Sequence, residues 1–289
     1  MTMRNESPSE VAAPPNISMQ SKGVLPDAIT VQALSKRFGP VIAVDQLTFS
    51  CRTGSTFGLL GANGAGKSTL IKMLTTLLPP SSGTARIVDC DLVREPAAVR
   101  HKIGYVSQML SADGELTGYE NLLVAAKLYL IPRAERPLRI AQALEFMDLG
   151  EAGRRPVRQY SGGMIRRLEI AQSMLHRPSV LFLDEPSVGL DPAAKRVLWD
   201  RIRQLRREFG TTILLTTHDM EEADQLCDMI GVMHRGQLVV LDTPAALKAA
   251  VSSTATMDSV FIHFTGATCS EGGELRDVSR TRITHHRLG

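Results

Sequence analysis

Four short stretches of the chain are rich in apolar residues: residues 55–60, 103–106, 180–183 and 212–215. They lack the alternation of apolar and polar residues that a half-exposed strand shows. A continuous apolar run of this length is typical of a strand that is covered on both faces, and such strands are usually parallel. We therefore expect an α/β fold in which these stretches form a mainly parallel sheet core.

Strands of another kind are predicted around the first of these runs. Residues 28–38 and 43–51 alternate apolar with polar residues, and residues 84–89 follow a turn made of Pro, Ser and Gly. Alternation with a period of two indicates strands that have one buried and one exposed face. The pattern predicts an N-terminal antiparallel β subdomain.

Helical periodicity dominates residues 109–160. Thr117 and Glu120 form a capping box ahead of an apolar stripe, and Pro132 is expected to stop that helix. A second helix is predicted over residues 138–149. This stretch is therefore predicted to be a helical subdomain inserted into the α/β domain.

Three further helices are predicted within the α/β part. One covers residues 69–78, and a second carries apolar residues at i, i+4, i+7 and i+11 from Met164 to Leu175. A third begins at Asp191 and closes at Gly210. The apolar face of the third helix is predicted to consist of Leu198, Ile202, Leu205 and Phe209.

Composition and charge limit the partners, metal sites and membrane segments that can be expected of this chain. Lys and Arg total 33 and Asp and Glu total 30, so a net charge of +3 gives no argument for a nucleic acid partner. The four cysteines lie far apart without a CxxC pair, so neither a zinc site nor a disulfide framework is predicted. Since 18 successive apolar residues occur nowhere, we expect that the chain does not cross a membrane by itself.

The same patterns suggest three regions. Residues 1–27 are rich in Pro, Ser, Asn and Glu and lack periodicity, so they are predicted to be a disordered N-terminal tail. Residues 28–248 hold the predicted α/β domain with its helical insertion. Residues 249–289 are left as a short C-terminal extension.

A phosphate-binding pattern, GxxxxGK[ST], follows the first apolar run, where residues 61–69 are GANGAGKST. Its small residues let backbone N–H groups turn inward around an anion, and the start of the next helix adds a positive dipole end. Lys67 would neutralise the outer phosphates, and the Ser68 hydroxyl would bind Mg²⁺. An ordinary glycine-rich turn is the alternative. The candidate nucleotide-binding residues of this loop are Gly61, Ala62, Asn63, Gly64, Ala65, Gly66, Lys67, Ser68 and Thr69.

Chemically distinctive residues follow each predicted parallel strand, and they are Gly61, Gln108, Asp184 with Glu185, and His218. In an open parallel sheet the ligand lies beyond the carboxyl ends of the strands. We therefore expect these residues to meet at one nucleotide. Ser161, Gly162 and Gly163 open another predicted helix with free N–H groups, which is a second anion-binding end and requires a second source of phosphate.

In order and spacing, these motifs resemble the ATP-binding cassette (ABC) family over about residues 28–248. The motifs are the phosphate loop, Gln108, SerGlyGly at 161–163, LeuPheLeuAspGlu at 181–185, SerValGlyLeuAsp at 187–191, and His218. Residues 116–122, 160–164 and 257–266 further resemble the daunorubicin-resistance type cassettes, which serve ABC-2 permeases.

The resemblance implies a role for each site residue. Glu185 resembles the group that polarises the attacking water, His218 the histidine that contacts the γ-phosphate, and Lys67 completes the catalytic set. Asp184, with Ser68 and Gln108, resembles the site that holds Mg²⁺. The residues expected at the partner's nucleotide, in a head-to-tail pair of cassettes, are Ser161, Gly162, Gly163 and Asp191.

Two positions depart from the family pattern. Met164 stands where many members have glutamine, which removes one side-chain hydrogen bond to the partner's nucleotide. Phe38 stands where a tyrosine often stacks on adenine, and its ring can stack without offering a hydroxyl. Neither change touches the phosphate chemistry, so we expect ATP hydrolysis to persist.

The resemblance implies an ATP-hydrolysing subunit of an ABC-2 type exporter that uses ATP and Mg²⁺. One partner would be an integral membrane permease, which the helical insertion and the Gln108 loop would contact. The other would be a second cassette, in a homodimer. The chain would then lie peripherally at the cytoplasmic face of the cell membrane and power efflux of a drug, polyketide, lipid or polysaccharide. A soluble cassette ATPase that acts in DNA repair or on ribosomes, a regulator without turnover and a metabolite kinase are the alternatives.

Overall fold

The computed structural model describes residues 26–266. Residues 1–25 of the predicted tail, and residues 267–289 of the predicted extension with Cys269, lie outside the described residues. The strands in the described part are β1 (Asp27–Phe38), β2 (Val41–Arg52), β3 (Thr56–Leu60), β4 (Ser82–Ile87), β5 (Cys90–Asp91), β6 (Ile103–Val106), β7 (Val180–Asp184), β8 (Thr212–Thr217), β9 (Met229–His234) and β10 (Gln237–Asp242). The α-helices are α1 (Lys67–Leu74), α2 (Pro96–Lys102), α3 (Gly118–Leu128), α4 (Arg136–Phe146), α5 (Gly162–Met174), α6 (Pro192–Phe209), α7 (Met220–Leu226), α8 (Pro244–Val251) and α9 (Met257–Thr265).

The larger sheet has the strand order β10-β9-β3-β8-β7-β6. Its strands are parallel from β9 to β6, and only β10 is antiparallel to its neighbour. Every residue of β3, β7 and β8 is buried, as the continuous apolar runs predict. The predicted α/β fold with a mainly parallel core is confirmed.

This sheet separates two hydrophobic cores. Along β7, Leu181 and Leu183 enter the core that contains α3, α5 and α6, whereas Val180 and Phe182 enter the core that contains α1 and the antiparallel strands. Successive side chains of a strand point to opposite faces, so one short apolar strand supplies both cores. Charged residues are therefore excluded from the sheet interior and collect at its carboxyl edge.

The smaller sheet has the order β2-β1-β4-β5, with antiparallel pairing throughout. Ile29, Val31 and Leu34 of β1 are buried, while the last two residues of the strand, Arg37 and Phe38, are exposed. The predicted N-terminal antiparallel subdomain is therefore confirmed. It packs beside α1 and brings the start of β2 close to the phosphate loop.

The stretch between β6 and α5 contains the helices α3 and α4, as the predicted helical insertion requires. Thr117 caps α3, its hydroxyl accepting from the backbone N–H of Glu120 while the Glu120 carboxylate accepts from the backbone N–H of Thr117, so the predicted capping box is confirmed. Two single 3₁₀ turns, at Glu151–Arg154 and Val157–Gln159, connect α4 to α5.

Three helices end earlier than their apolar patterns predict. Helices α1, α3 and α4 stop at Leu74, Leu128 and Phe146, rather than at residue 78, at Pro132 and at residue 149. In each case the second residue beyond the helix is left-handed: Thr76 at φ 62°, Leu130 at φ 56° and Asp148 at φ 52°. Glycine usually marks such a helix end. Because other residues occupy it here, no glycine in the sequence marks these three ends.

Helix α6 runs between the predicted cap residues, since Asp191 accepts two N–H groups at its start and Gly210 is left-handed at its end. Leu198, Ile202 and Leu205 are buried as predicted, but Phe209 is 54% exposed. The prediction for Phe209 was wrong because its side chain borders the groove between α4, α5 and α6 instead of entering the core. Its ring packs edge-on against Phe146 of α4, with centroids 5.3 Å apart.

The final helices continue the main domain. Helix α8 spans the boundary predicted after residue 248, and Val260 and Phe261 of α9 are buried in the same core as α6. Among residues 26–266, no helix combines the length and the apolarity needed to cross a membrane.

Candidate functional site

The phosphate loop connects β3 to α1 in a conformation that requires glycine. Gly66 has φ 104°, and a Cβ there would lie 2.4 Å from the carbonyl oxygen of Ala43. A Cβ on Gly61 would lie 2.7 Å from the carbonyl oxygen of Met233. The loop is therefore pressed between the start of β2 and the end of β9, and only glycine fits at these positions.

A cavity of about 370 Å³ opens in front of this loop. Its lining combines the predicted phosphate-binding residues with side chains from two neighbouring strand ends, and it consists of Ala43, Asn63, Gly64, Ala65, Gly66, Lys67, Ser68, Thr69, Gln108 and Glu185. A second, larger groove of about 460 Å³ lies between α4, α5 and α6 and contains none of the predicted site residues. The predicted chemistry is therefore found in the polar cavity rather than in the more apolar groove.

Lys67 is held in place by the loop that it follows. Its ammonium donates to the carbonyl oxygens of Gly61 at 2.7 Å and Ala62 at 3.2 Å. It also lies 3.1 Å from a carboxylate oxygen of Glu185, and both side chains are 5% exposed. A buried charge is stable only with such partners, so Lys67 is fixed at the cavity wall.

Glu185 joins two of the predicted catalytic residues. Its second carboxylate oxygen lies 2.5 Å from Nδ1 of His218, which donates this hydrogen bond to the carboxylate. The residue has φ 52°, a conformation that costs energy for any residue but glycine and that concentrates at functional sites. The backbone N–H of Glu185 donates to both the carbonyl oxygen and the hydroxyl oxygen of Thr216 on the adjacent β8, and these contacts hold the turn. The three predicted catalytic residues, Lys67, Glu185 and His218, thus form one connected group.

Asp184 forms a neighbouring oxygen cluster. One carboxylate oxygen accepts from the Ser68 hydroxyl at 3.2 Å and from the Thr216 hydroxyl at 2.6 Å. Hydroxyl and carboxylate oxygens are the donors that Mg²⁺ prefers, and Mg²⁺ commonly binds one or two carboxylates together with water and substrate phosphates. Within residues 26–266 no group of three or more His, Cys, Asp or Glu could hold a metal. The oxygen atoms of Asp184 and Ser68 fit a magnesium ion that takes its remaining ligands from phosphate and water.

Gln108 follows β6 and lines the same cavity as Ser68 and Glu185. The loop that carries it rests on two buried charged residues of α5, Arg166 and Glu169, which sequence reasoning missed. In the sequence they are opposite charges three residues apart on a helix, a pattern that normally indicates a solvated helix face. Only their burial, at 2% and 4% exposure, distinguishes them.

Some predicted site residues do not line this cavity. Phe38 ends β1, is 48% exposed and has the Lys36 ammonium 5.3 Å from its ring centre. The pairing of Phe38 with Val41 places it at the hairpin that leads into β2, whose residue Ala43 does line the cavity.

The four residues predicted for the partner's nucleotide form a separate surface. The Ser161 hydroxyl caps α5 by accepting from the N–H of Met164, and Asp191 caps α6. A Cβ on Gly163 would lie 3.0 Å from the Cβ of Ala194, so the starts of the two helices pack together. Ser161, Gly162 and Asp191 are exposed. The structure thus brings two positive helix ends side by side at one accessible surface.

One buried carboxylate lies behind these elements. Glu222 of α7 is 1% exposed and accepts from the indole N–H of Trp199 at 3.0 Å. Burial raises the pKa of the Glu222 carboxyl, although hydrogen bonds from Thr217, Ser187 and Trp199 oppose the rise. Nothing in the sequence singles out this residue, since glutamate near a helix start is common on protein surfaces.

Comparisons with known proteins agree with this geometry. The family model described as ABC transporter matches residues 44–188. The daunorubicin resistance ATP-binding protein DrrA3 of Streptomyces coeruleorubidus is 46% identical over 222 residues, which cover 77% of this chain and 70% of that protein. The Nod factor export ATP-binding protein I of Sinorhizobium fredii is 43% identical over 220 residues, covering 76% of this chain and 64% of that protein. The solved structure of an ATP-binding subunit of an ABC transporter has a TM-score of 0.73 at 28% identity, covering 82% of this chain and 99% of that one.

Proposed function

The chain belongs to the ABC transporter family and is an ATP-hydrolysing protein, and on that premise we propose that it powers an ABC-2 type exporter through a separate membrane permease. The observation that carries the proposal is the contact of Glu185 with two residues: the buried Lys67, at the wall of the phosphate-loop cavity, and His218, whose side chain is half exposed. A protein that only bound nucleotide would not need a base poised beside the phosphate site.

We assign the following roles to the residues of this cavity. The loop N–H groups and Lys67 bind the β- and γ-phosphates, and Glu185 accepts the proton of the attacking water. His218 donates to Glu185 and fixes the direction of its carboxylate. Asp184, Ser68 and Gln108 would hold Mg²⁺, which neutralises charge on the phosphate oxygens.

Binding of ATP and activation of Glu185 are linked in this arrangement. Lys67 contacts Glu185 at 3.1 Å, so a γ-phosphate that binds the Lys67 ammonium must compete with the Glu185 carboxylate for it. The Glu185 carboxylate that Lys67 releases keeps its contact with His218 and becomes available to water. Phosphate binding therefore releases Glu185 from Lys67, so that Glu185 can act as the base.

We propose that two copies of the chain associate head to tail. The exposed helix end at Ser161–Gly162, beside Asp191, can bind an anion through its backbone N–H groups. The γ-phosphate held by a partner copy supplies that anion. Both half-sites are present in one chain, which supports a homodimer that closes with ATP and opens after hydrolysis.

The proposed permease surface lies beside the Gln108 loop. A groove of about 310 Å³ is bordered by Tyr105, Ser111, Leu128 and Glu169. Met109, Leu110 and Leu128 nearby are 81%, 53% and 77% exposed. Exposed apolar side chains around a groove are typical of an interaction site, and a short apolar segment of the permease fits this one.

The names of two relatives support an exporter. They refer to daunorubicin resistance and to Nod factor export. By analogy we propose that this chain powers efflux of a drug, polyketide, lipid or polysaccharide from a peripheral position at the cytoplasmic face of the cell membrane.

A pull-down from detergent-solubilised native membranes tests this function. The baits are the parent chain, Leu128→Glu in the proposed groove, and Val93→Glu, a control that is 58% exposed outside the helical insertion. We expect a multi-span membrane protein with the parent and Val93→Glu but not with Leu128→Glu, while all three hydrolyse ATP equally. Recovery of ribosomal or DNA-processing proteins, with no membrane partner, would instead favour a soluble cassette ATPase.

A further inference from the structure

Helix α5 carries a buried ion pair that the catalytic group does not include. Nη1 of Arg166 lies 3.0 Å from a carboxylate oxygen of Glu169, and both side chains are 3% exposed. Burying two charges is costly, and such a pair persists only where further hydrogen bonds satisfy it. The partners of this pair therefore indicate what it is for.

Arg166 binds the backbone of the Gln108 loop. Its two terminal nitrogens donate to the carbonyl oxygens of Ser107 at 2.6 Å and Gln108 at 2.8 Å. A guanidinium donates in a rigid planar fork, so it fixes the orientation of the peptide unit between these carbonyls. Because both contacts are to the main chain, the Gln108 side chain is left to line the cavity.

Glu169 holds the other end of the same loop. Its second carboxylate oxygen accepts from the backbone N–H of Ser111 and from the Ser111 hydroxyl. The intervening Met109 and Leu110 are exposed beside the proposed permease groove. The ion pair thus fastens both ends of a loop that faces the nucleotide cavity on one side and the groove on the other.

Both residues lie on the helix that begins at the second anion site. Arg166 is three residues beyond Gly163, within the second turn of α5. Burial lowers the pKa of Arg166, whereas the negative charges of Glu169, Asp184 and Glu222 raise it. Arg166 therefore also lies within the field of Asp184, the proposed magnesium ligand.

We propose that Arg166 and Glu169 are positioning residues for ATP hydrolysis, which hold Gln108 at the cavity and tie the Gln108 loop rigidly to the helix end that receives the partner's phosphate. This inference rests on the proposed function, in which the cavity hydrolyses ATP. Movement of Gln108 toward a bound nucleotide then moves α5 with it. The two halves of the composite site become mechanically connected within one chain.

We call the contacts of Arg166 and Glu169 with the Gln108 loop the clamp. Two substitutions weaken it while keeping a polar side chain of similar length. Arg166→Lys keeps the charge but replaces the fork by a single ammonium that cannot serve both carbonyls in the same geometry. Glu169→Gln keeps an oxygen for Ser111 but removes the charge that faces Arg166. The matched control is Arg167→Lys, because Arg167 also donates to a main-chain oxygen, that of Met147 at 2.7 Å, yet does not contact the Gln108 loop.

Steady-state ATP hydrolysis by the full chain provides the first readout. We expect kcat to fall about 10- to 100-fold in Arg166→Lys and Glu169→Gln, because a misplaced Gln108 no longer supports the reacting geometry. KM for ATP should stay within about twofold, because the phosphate loop is untouched. Arg167→Lys should retain both constants even where its melting temperature falls.

Hydrogen exchange gives a readout that a merely structural role would not move. In the parent, MgATP should protect residues 61–69 and residues 107–111 together. In Arg166→Lys the protection of residues 61–69 should remain and that of residues 107–111 should be lost. Should Arg166→Lys fail to fold, Glu169→Gln carries the same comparison.

Three outcomes overturn the inference. They are a variant kcat within twofold of the parent, an equal loss in Arg167→Lys, and protection of residues 107–111 that survives in both clamp variants. Failure of the proposed function would appear in the parent itself, as neither protection of residues 61–69 nor turnover, and it would remove the site on which the clamp acts.

Discussion

The ammonium of Lys67 lies 3.1 Å from a carboxylate oxygen of Glu185, with each side chain 5% exposed. The first residue follows β3 and the second follows β7, strands that are separated in the sheet by β8. Their charges interact strongly because little water reaches them. The proposed phosphate-binding residue and the proposed base are therefore not independent, and substitution of either changes the surroundings of the other.

Lys67→Ala should reduce the affinity for ATP. A hydrogen bond to a charged group contributes about 1.5–3 kcal/mol, which corresponds to a loss of about 10- to 100-fold in affinity. Titration of a fluorescent ATP analogue measures the change, with Lys72→Ala as the control because Lys72 is an exposed lysine of the same helix. Unchanged binding in Lys67→Ala would remove this residue from the phosphate site.

Glu185→Gln should bind ATP while turnover falls by about 100-fold or more, since an amide cannot accept the proton of water. The variant should also accumulate as a dimer with MgATP, because the γ-phosphate that bridges two copies persists. Phosphate release and size-exclusion chromatography check the two effects. Glu208→Gln, at an exposed position of α6, should behave as the parent. Normal turnover in Glu185→Gln would exclude Glu185 as the base.

Asp184→Asn should increase the Mg²⁺ concentration needed for half-maximal turnover. The carboxylate accepts from Ser68 at 3.2 Å and from Thr216 at 2.6 Å, so an amide reduces its charge and disturbs the hydroxyl expected to bind the ion. Changes of this kind cost about 10- to 100-fold in metal affinity. A magnesium titration of ATP hydrolysis, with the exposed Asp200→Asn as control, measures it. An unchanged requirement for magnesium would contradict the assignment.

Glu222→Gln should make stability less dependent on pH. Burial raises the pKa of the folded-state carboxyl above its ordinary value of 4.5. Between the unfolded-state and folded-state pKa values, the folded state therefore binds more protons than the unfolded state. The contribution of Glu222 is therefore most favourable below the ordinary value and declines as pH rises through the folded-state pKa. The glutamine keeps an oxygen for Trp199 and does not titrate.

Thermal unfolding between about pH 5 and pH 8 tests this, with the exposed neighbour Glu221→Gln as the control. The melting temperature of Glu222→Gln should increase relative to that of the parent as pH rises. A difference between the two proteins that stays constant with pH would show that Glu222 is not the titrating group.

Much of the site could be predicted because its chemistry is local. The phosphate loop is one continuous segment, and glycine at Gly66 is demanded by a positive φ and by the nearby Ala43 carbonyl. Asp184, Glu185 and His218 are recognisable because each follows a buried apolar strand. A parallel sheet brings such strand ends to one edge, so the period of the sequence already implies that they meet.

Other features could not be predicted because their signals are not local. The ends of α1, α3 and α4 depend on left-handed residues that are not glycine. Phe209 continues the apolar spacing of α6, but that spacing does not reveal that the residue borders an open groove beside α4. Each of these errors concerns where an element ends or what covers it.

The sequence by itself determined the α/β fold, the order of the motifs and the types of residue at the phosphate site, because periodicity and short motifs are properties of neighbouring residues. The tertiary structure decided that Lys67, Glu185 and His218 touch, and that Arg166 and Glu169 are buried against the Gln108 loop. Those contacts join residues that are distant along the chain. A charge three residues from its opposite looks the same in a sequence whether it faces water or holds a loop, and only the packing around it distinguishes the two.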